Sequence, residues 1–364
     1  MVAGLSNAPQ NAGFARKVWF IRWANVKLGG SAVRTRLCEL LGIEHPIIQA
    51  GMGIVHPAHA LVAAVSNAGG LGSLGAALRS PPELREQIAL IRERTARPFA
   101  VNFLVSDLNA DTFAAALEAR PAVISFALGD PGDLVRRARA AGALVIHQVH
   151  TVAQAIQAAG RGVDVLIAQG GEAGGYGQFV GTLPLIPQVV DAVRPLPVAA
   201  AGGIGDGRGI AAALLLGAEG VNMGTRFLAS AESPIADGWK MAIIAARSED
   251  AVKVEFWSDI TRSLMGRAGY GTVPRALRTP FYDRWAQRRA EVMQKAEELR
   301  NEIQAAQSEG RFHEYMPFAG QSAGLIHEVL PVREIIRRLI SEAEETLMRA
   351  STLVAPTGVG REAG

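Results

Sequence analysis

Residues 197–228 read PVAAAGGIGDGRGIAAALLLGAEGVNMGTRFL, and this stretch decides the fold that we predict for the chain. A short apolar run over 198–201 ends in Gly202-Gly203, and a second run over 220–223 ends in Gly224-Thr225. Apolar side chains recur at helical spacing between the two runs. Two short buried strands joined by one helix indicate a parallel βαβ unit.

The glycine pairs after both runs predict a binding site for a phosphate group. Glycine has no Cβ, so backbone N–H groups at a strand end can come close to a ligand. Two such ends side by side form a nest of amide donors that suits a phosphate monoester. Glycine pairs also occur in ordinary tight turns, but two pairs in register, one followed by Thr225, favour phosphate binding.

Upstream of this stretch the chain repeats short apolar runs, most of them separated by helical patterns. Strands this continuously apolar are typical of a parallel sheet covered on both faces. Together with the opening stretch they predict an α/β fold of the TIM (β/α)8 barrel class, with a helical C-terminal insertion that caps it. The six further strands are expected at Ile47–Gly51, Gly72–Leu74, Phe99–Leu104, Val123–Ala127, Leu144–Val149 and Val165–Ala168. In such barrels a phosphate site follows strands seven and eight, where the two glycine pairs stand.

The domain organisation follows from where these patterns start and stop. Residues 285–307 form the longest charged helical pattern and have no sustained apolar seam, which predicts a solvated cap rather than a coiled coil. An amphipathic helix over 332–348 is expected to pack back on the barrel. The predicted units are a disordered basic leader at 1–32, a barrel made of 33–248 plus 321–350, a helical cap at 249–320 and a disordered tail at 351–364.

Charge and cysteine content exclude several classes of function. Residues 1–36 carry six basic and no acidic residues, so removing them from the net charge of +3 leaves −3, and nucleic acid is not an expected partner. The basic, partly aromatic segment 14–28 could also suit a targeting peptide or a membrane-surface helix. One cysteine, Cys38, excludes an internal disulfide and a thiolate metal cluster, and indicates a reducing, cytoplasmic compartment. No apolar run is long enough to span a membrane.

The residues at the strand ends favour a flavin over other ligands. They are rich in amides and glycine, and they include no carboxylate pair, no metal-ligand spacing and no serine or cysteine beside a base. Neutral donors with a phosphate nest match flavin mononucleotide (FMN). Nicotinamide bound in the Rossmann manner is the competing reading, but GGIGDGRG lacks the G-x-G-x-x-G spacing.

Several motifs then resemble one family. HPIIQAGMG, SNAGGLGSLG, RPFAVNF, QGGEAGGYG, the opening stretch and AGQSAGLI together resemble the nitronate monooxygenases, once called 2-nitropropane dioxygenases, over about residues 34–345. The resemblance implies an FMN-dependent TIM barrel. It places Gly51, Met52 and Gly53 against the isoalloxazine with Asn102 and Gln148 nearby, Gln169, Gly174 and Gly175 along the flavin and its ribityl chain, and Gly202, Gly203, Gly224 and Thr225 on the phosphate.

One position departs from the family pattern. Members typically carry histidine after E-A-G-G, as a catalytic base or hydrogen-bonding group over the flavin, and this chain has Tyr176 there. A phenol with a pKa near 10 is a poor base at neutral pH but a good donor to a nitro, nitronate or carbonyl oxygen. Tyr176 is therefore the first catalytic candidate, unless it is only a pocket wall. His150 is the second candidate, as a substitute base or as an ordinary loop or helix-capping histidine.

The sequence leaves three functions open. The first is an FMN-dependent oxidoreductase that oxidises nitronates or nitroalkanes with O2, as implied by the resemblance. The second is a flavin-dependent NAD(P)H reductase of the enoyl-acyl-carrier-protein or quinone type, and the third is a flavin-binding protein that has lost catalysis. The expected partners are a small-molecule substrate, O2 and, for the reductase, NAD(P)H, with neither nucleic acid nor membrane, in a monomer or a homodimer.

Overall fold

The structure is a computed structural model that describes residues 33–261 and 271–353. Its principal sheet contains eight parallel strands in the order β1-β9-β8-β6-β5-β4-β3-β2. The strands, numbered in chain order, are β1 (Ile47–Gln49), β2 (Gly72–Gly75), β3 (Phe99–Leu104), β4 (Val123–Ala127), β5 (Leu144–Val149), β6 (Val165–Gln169), β7 (Gly175–Gly177), β8 (Val198–Ala201), β9 (Gly220–Met223), β10 (Ala251–Lys253) and β11 (Val273–Leu277).

The two outer strands of this sheet meet, which makes the sheet a barrel. Ile48 forms a parallel bridge with Leu71, just before β2. The Leu71 N–H donates to the Ile47 carbonyl at 2.9 Å, and the Gln49 N–H donates to the Leu71 carbonyl at 2.9 Å. The predicted TIM barrel is therefore confirmed, and all eight predicted strands exist, with shifts of at most two residues at their ends.

Helices connect successive strands and cover the outside of the barrel. The glycine-rich helix of the opening stretch begins at Asp206, whose side chain accepts a hydrogen bond from the Gly209 N–H at 3.1 Å. A helix on the outside of a barrel buries one apolar face against the strands and exposes its other face to solvent. In chain order the helices are α1 (Arg36–Leu41), α2 (His59–Asn67), α3 (Pro81–Arg94), α4 (Ala110–Ala119), α5 (Leu134–Ala140), α6 (Val152–Gly160), α7 (Thr182–Val193), α8 (Gly207–Leu215), α9 (Thr225–Leu228), α10 (Asp237–Ala245), α11 (Trp257–Thr261), α12 (Pro280–Trp285), α13 (Arg289–Gln294), α14 (Ala296–Ser308) and α15 (Val332–Thr352).

The last helix, α15, packs against α8 and α2 as expected. Ile335, Ile336, Leu339 and Ile340 are buried on its inner face. The contact with α8 is close, because a Cβ on Gly207 would lie 2.5 Å from the Ala343 nitrogen. The chain beyond the cap thus returns to the barrel and completes its helical layer.

Residues 249–320 differ from the solvated helical cap that the sequence predicts. They contain two strands, β10 and β11, which form a three-stranded antiparallel sheet with β7. The predicted helix over 285–307 is divided into α13 and α14, and its first residue ends α12. Leu299 and Ile303 on α14 are buried, at 2% and 6% exposure. The prediction is wrong on these points because the apolar face of α14 is short and its partners are distant in sequence.

Some expectations concern residues outside the described ranges. The predicted leader at 1–32 and most of the predicted tail lie there, whereas the first residues of that tail continue α15 to Thr352. Within the described ranges no helix combines the length and apolar character needed to cross a membrane.

Candidate active site

A cavity of about 440 Å³ opens at the carboxyl ends of the barrel strands. Every residue predicted to hold the cofactor lines it, and so does Tyr176, whereas His150 does not. The predicted residues found on its wall are Gly51, Met52, Gly53, Asn102, Gln148, Gln169, Gly174, Gly175, Tyr176, Gly202, Gly203, Gly224 and Thr225. The residues that the sequence places at the ends of the strands therefore line one cavity.

The turn after β8 has the backbone that the phosphate prediction needs. Gly202 and Gly203 have φ values of +97° and +74°, which glycine adopts without the steric cost that a Cβ would bring. Glu172 is connected to this turn through Thr182. Its carboxylate accepts hydrogen bonds from the Thr182 N–H at 2.9 Å and hydroxyl at 2.8 Å, and that hydroxyl lies 3.0 Å from the Gly202 carbonyl. The start of α7 is thereby fixed against the glycine turn.

The closing AGQSAGLI motif fastens the second glycine pair. The Gly320 N–H donates to the Thr225 hydroxyl at 2.9 Å, and the Gln321 N–H donates to the Glu172 carbonyl at 2.9 Å. A Cβ on Gly174 would lie 2.6 Å from the Gly320 nitrogen. Residues 319–325, which we call the strap, thus hold together the loops after β6 and β9.

The loop after β1 is shaped by close packing and by a buried arginine. A Cβ on Gly51 would lie 2.3 Å from the Asn102 Cβ, and one on Gly53 would lie 2.7 Å from the Ala77 Cβ. Arg79 donates from Nη1 to the Gly53 carbonyl at 3.0 Å and from Nη2 to the Val55 carbonyl at 2.5 Å. Burial lowers the pKa of Arg79. Sequence reasoning missed this arginine, and its only signal is a basic residue just after a buried strand.

Neutral polar side chains form the floor of the cavity. The Asn102 amide donates to the Ser125 hydroxyl at 3.2 Å, and the Gln169 amide donates to the Tyr176 carbonyl at 2.8 Å. Gln148 is half-buried on the same floor. This floor offers hydrogen-bond donors and acceptors to a planar heteroaromatic ring and places no charge beneath it.

Tyr176 lies on β7, opposite Pro274 of β11. Its hydroxyl oxygen accepts a hydrogen bond from the Trp257 indole N–H at 3.1 Å. Burial raises the pKa of Tyr176 to about 12, against the opposing effect of hydrogen bonds from Trp257 and Thr261. The phenol therefore stays protonated at neutral pH and can donate, but it is no base for a carbon-bound proton.

The histidines of β5 and its following loop are buried away from the cavity wall. The His150 Nδ1 lies 3.4 Å from the Gln169 carbonyl, and the His147 Nδ1 lies 3.2 Å from the Phe126 carbonyl. Burial lowers the pKa of each to about 4. His150 is thus outside the residues that line the cavity, and its role as a substitute base stays a prediction.

The residues that sequence reasoning missed come mainly from the cap segment and its neighbours. Aromatic rings of Trp239, Trp257, Phe312 and Phe318 line the side of the cavity opposite the strand ends. Trp257 and Phe318 pack edge to face with centroids 6.4 Å apart. One face of α14 adds Arg300, Ile303, Gln304 and Gln307 to the same wall. No sequence motif marks these residues, since each is an ordinary member of a charged or apolar segment.

Comparison with known families identifies the family of the chain. The family model for nitronate monooxygenase matches residues 34–119 and 111–342. The chain belongs to the nitronate monooxygenase family. The resemblance stated from its motifs is therefore confirmed.

The curated proteins that are similar to this chain have different names. The chain is 44% identical over 223 residues to the (3aS,4S,5R,7aS)-5-hydroxy-7a-methyl-1-oxo-octahydro-1H-indene-4-carboxyl-CoA dehydrogenase of Mycobacterium tuberculosis, a match that spans 60% of this chain and 62% of that relative. It is 36% identical to a probable nitronate monooxygenase of Staphylococcus aureus, over 65% of this chain and 78% of the relative.

Two solved structures match most of the chain. FabK from Thermotoga maritima superposes with a TM-score of 0.80 at 38% identity, covering 89% of this chain and 100% of that one. A nitroalkane oxidase from Streptomyces ansochromogenes superposes with a TM-score of 0.72 at 27% identity, covering 86% and 99%. The nitronate monooxygenase family fold therefore extends through the cap segment as well as the barrel.

A flavin fits the residues of this site. The left-handed turn at Gly202-Gly203 and the pair Gly224-Thr225 both line the cavity, at the ends of the paired strands β8 and β9. The neutral floor of Asn102 and Gln148 lies under the remainder. The residues match the group in both its phosphate and its ring.

Proposed function

We propose that this nitronate monooxygenase family member binds FMN and oxidises a preformed nitronate, with O2 as the electron acceptor. The observation that carries the proposal is the absence of a general base among the described residues that line the cavity. Tyr176 has a pKa of about 12 and His150 lies behind the wall. A preformed nitronate needs no proton removed, so it suits a site of this kind.

The choice of FMN is supported by the two glycine pairs. Gly203 and Gly224-Thr225 stand at the ends of β8 and β9, where a (β/α)8 barrel binds a terminal phosphate. The nest takes one phosphate monoester through backbone donors. FMN, when bound, would supply the acceptor for the substrate's electron pair.

The protein's own groups bind and orient the substrate. The Tyr176 hydroxyl donates to a nitronate oxygen, while Trp257 fixes the position of the phenol through its indole N–H. A hydrogen bond to a charged oxygen is stronger than one between neutral groups. The aromatic wall of Trp239, Phe312 and Phe318 keeps water from this hydrogen bond and accepts the apolar body of the substrate.

The proposal is tested by mixing the purified protein anaerobically with matched electron donors. Propane-2-nitronate should bleach the visible flavin absorbance, whereas neutral 2-nitropropane should do so at least tenfold more slowly, since no cavity group takes its proton. Equal rates with both compounds would show that a base is present. The cofactor released by denaturation should have the mass of FMN, and FAD would contradict the assignment.

A second candidate function is an NAD(P)H-linked oxidoreductase that acts on an acyl thioester. The apolar aromatic wall favours it, because this wall suits a bulky hydrocarbon body better than a small nitronate. The 44% identity to an indene-carboxyl-CoA dehydrogenase supports the same substrate class. Bleaching by NADH or NADPH, but not by the nitronate, would select this candidate. A flavoprotein that turns over no donor would instead have lost catalysis.

A further inference from the structure

Arg300 is the one charged side chain among the described residues that line the cavity. The rest of that lining consists of apolar side chains, amides, hydroxyls and glycine backbone. Arg300 lies on α14, with Ile303, Gln304 and Gln307 following it on the same cavity-facing side. Within a cavity that is otherwise uncharged, a negative group of a ligand gains the most electrostatic interaction energy beside the single positive charge.

The guanidinium is fixed in position by one neighbour. Its Nε and Nη2 donate to the Ile260 carbonyl of α11 at 3.0 and 2.7 Å. A guanidinium carries five N–H donors in a planar fork, so this carbonyl occupies one part of it and leaves donors for a second acceptor. The same helix supplies Trp257, which holds Tyr176. Arg300 and Tyr176 are therefore both positioned by α11.

Arg300 also differs from other arginines of the cap segment in its charge partners. Arg288 pairs with Glu291, Arg289 with Asp259, and Arg311 with Glu309 and Glu314. Within residues 33–261 and 271–353, no carboxylate forms an ion pair with Arg300. A partly buried guanidinium in a cavity that Trp257 and Ile303 also line is costly without a counter-charge. A ligand can supply that charge.

We propose that Arg300 binds a planar two-oxygen anion of the substrate. A carboxylate and a nitronate share this shape, and the guanidinium fork matches both through paired hydrogen bonds. The anion is either the reacting nitronate or a carboxylate elsewhere on the substrate. This inference rests on the proposed function for the identity of the reacting group, but the anion site itself is measurable without turnover.

The first experiment measures binding to the purified flavoprotein by titration calorimetry with hexanoate and hexanamide. These two probes have nearly the same shape and differ in charge. The parent protein should bind hexanoate about 10- to 100-fold more tightly than hexanamide, as expected for a charge-assisted hydrogen-bonded pair. Arg300→Gln should remove this preference and leave hexanamide binding unchanged. Arg300→Lys should keep part of it, and should make it more sensitive to salt because a point charge lacks the fork.

The control variant is Arg85→Gln, an exposed arginine of α3 that pairs with Glu118 and does not line the cavity. It should bind both probes as the parent does. An unchanged preference in Arg300→Gln would overturn the proposal. Equal weakening of both probes would also overturn it, because this would show that Arg300 only supports the cavity wall.

The second experiment separates the two sources of the anion. Rates are compared for the nitronates of 1-nitrohexane and of 6-nitrohexanoate, which differ by a distal carboxylate. If Arg300 holds the reacting group, Arg300→Gln raises KM for both substrates; if it holds a remote carboxylate, KM rises only for the second. A parent protein that oxidises neither nitronate would sink the proposed function alone, since the calorimetry would still decide the anion site.

Discussion

The two halves of the cavity wall are built in different ways. One half consists of strand ends and their loops, where Gly202, Gly203 and Gly224 bring the backbone to the cavity. The other half consists of side chains from the cap segment, such as Trp257, Arg300 and Phe312. The first half suits a cofactor common to a family, and the second suits a substrate particular to one protein. Changes in the first half should therefore affect flavin, and changes in the second should affect turnover.

The largest effect is expected for Gly203→Val. Its φ of +74° strains a β-branched residue, and the Cβ would lie 3.5 Å from the Glu172 Cβ, so the strain falls on the turn that is proposed to hold the phosphate. The variant should purify with less than about one-hundredth of the parent's flavin, on the order of 3 kcal/mol in binding. Flavin absorbance per mole of protein measures this.

Gly162→Val is the matched control for that change. Gly162 has a similar φ of +80° and open space around it, and it lies away from the cavity. It should cost about 1–2 kcal/mol of folding free energy from the same backbone strain, yet keep the flavin. Equal flavin loss in both variants would show that strain, and not the nest, controls binding.

The next largest effect concerns stability in acid and lies wholly in the barrel half. His147 and His150 have folded-state pKa values of about 4, below the usual 6.5, because they are buried. Between pH 6.5 and 4 the unfolded chain binds protons that the folded chain does not, so the free energy of unfolding should fall as the pH is lowered through this window. Below about pH 4 this contribution should level off.

His150→Gln should make that fall shallower in urea titrations at several pH values. At pH 7 it should also keep the parent's turnover within about threefold, about 0.7 kcal/mol, because the ring does not reach the cavity. A loss of turnover of two decades at unchanged flavin content would restore His150 as a catalytic candidate.

Tyr176→Phe tests whether the phenol that Trp257 of the cap half holds in place takes part in the chemistry. Loss of one hydrogen bond to a charged oxygen should lower turnover about 10- to 100-fold, or about 1.5–3 kcal/mol, at unchanged flavin content. Tyr176→His should increase activity on neutral nitroalkanes by supplying an imidazole that titrates near neutrality. If Tyr176→Phe turned over every electron donor as fast as the parent does, Tyr176 would only line the cavity and would have no part in catalysis.

The smallest effect is expected for Trp257→Phe. This change removes the indole donor 3.1 Å from the Tyr176 hydroxyl and keeps an aromatic ring in place. Turnover should fall about three- to tenfold, since one hydrogen bond between neutral groups contributes about 1 kcal/mol. In a Tyr176→Phe background the same change should have no further effect, and additive losses would show that Trp257 acts independently of the phenol.

The same division explains what the sequence could predict. Strands such as Phe99–Leu104 and Val123–Ala127 have the predicted bounds, because a strand buried on both faces leaves a continuous apolar run. The position of the strand-end glycines at the cavity could be predicted, because a backbone that comes close to a ligand requires residues without a Cβ. The barrel strands and the position of the glycine pairs at the cavity are thus encoded locally, whereas phosphate binding there stays a prediction.

The cap half was not predictable for equally physical reasons. β7 contains two glycines and one tyrosine, and its pairing with β11 joins residues about a hundred positions apart. Arg300 is one of many charged residues on α14 in the sequence, and only the fold turns it towards the cavity. One feature of the barrel half was equally hidden, because the His150 ring is buried 3.4 Å from the Gln169 carbonyl of β6 and its spacing from His147 does not show this.

The strap also sets the order in which the protein can be made functional. Gly320 donates to Thr225, and Gln321 donates to the Glu172 carbonyl, so the phosphate end of the cavity is held by residues about a hundred or more positions later in the chain. A ribosome delivers the barrel strands first and the strap last. A nascent chain halted before residue 319 therefore holds every glycine of the nest but lacks the strap that fastens it. If the protein binds flavin as proposed, binding should follow synthesis of the strap, and chains truncated before residue 319 should emerge from synthesis without flavin.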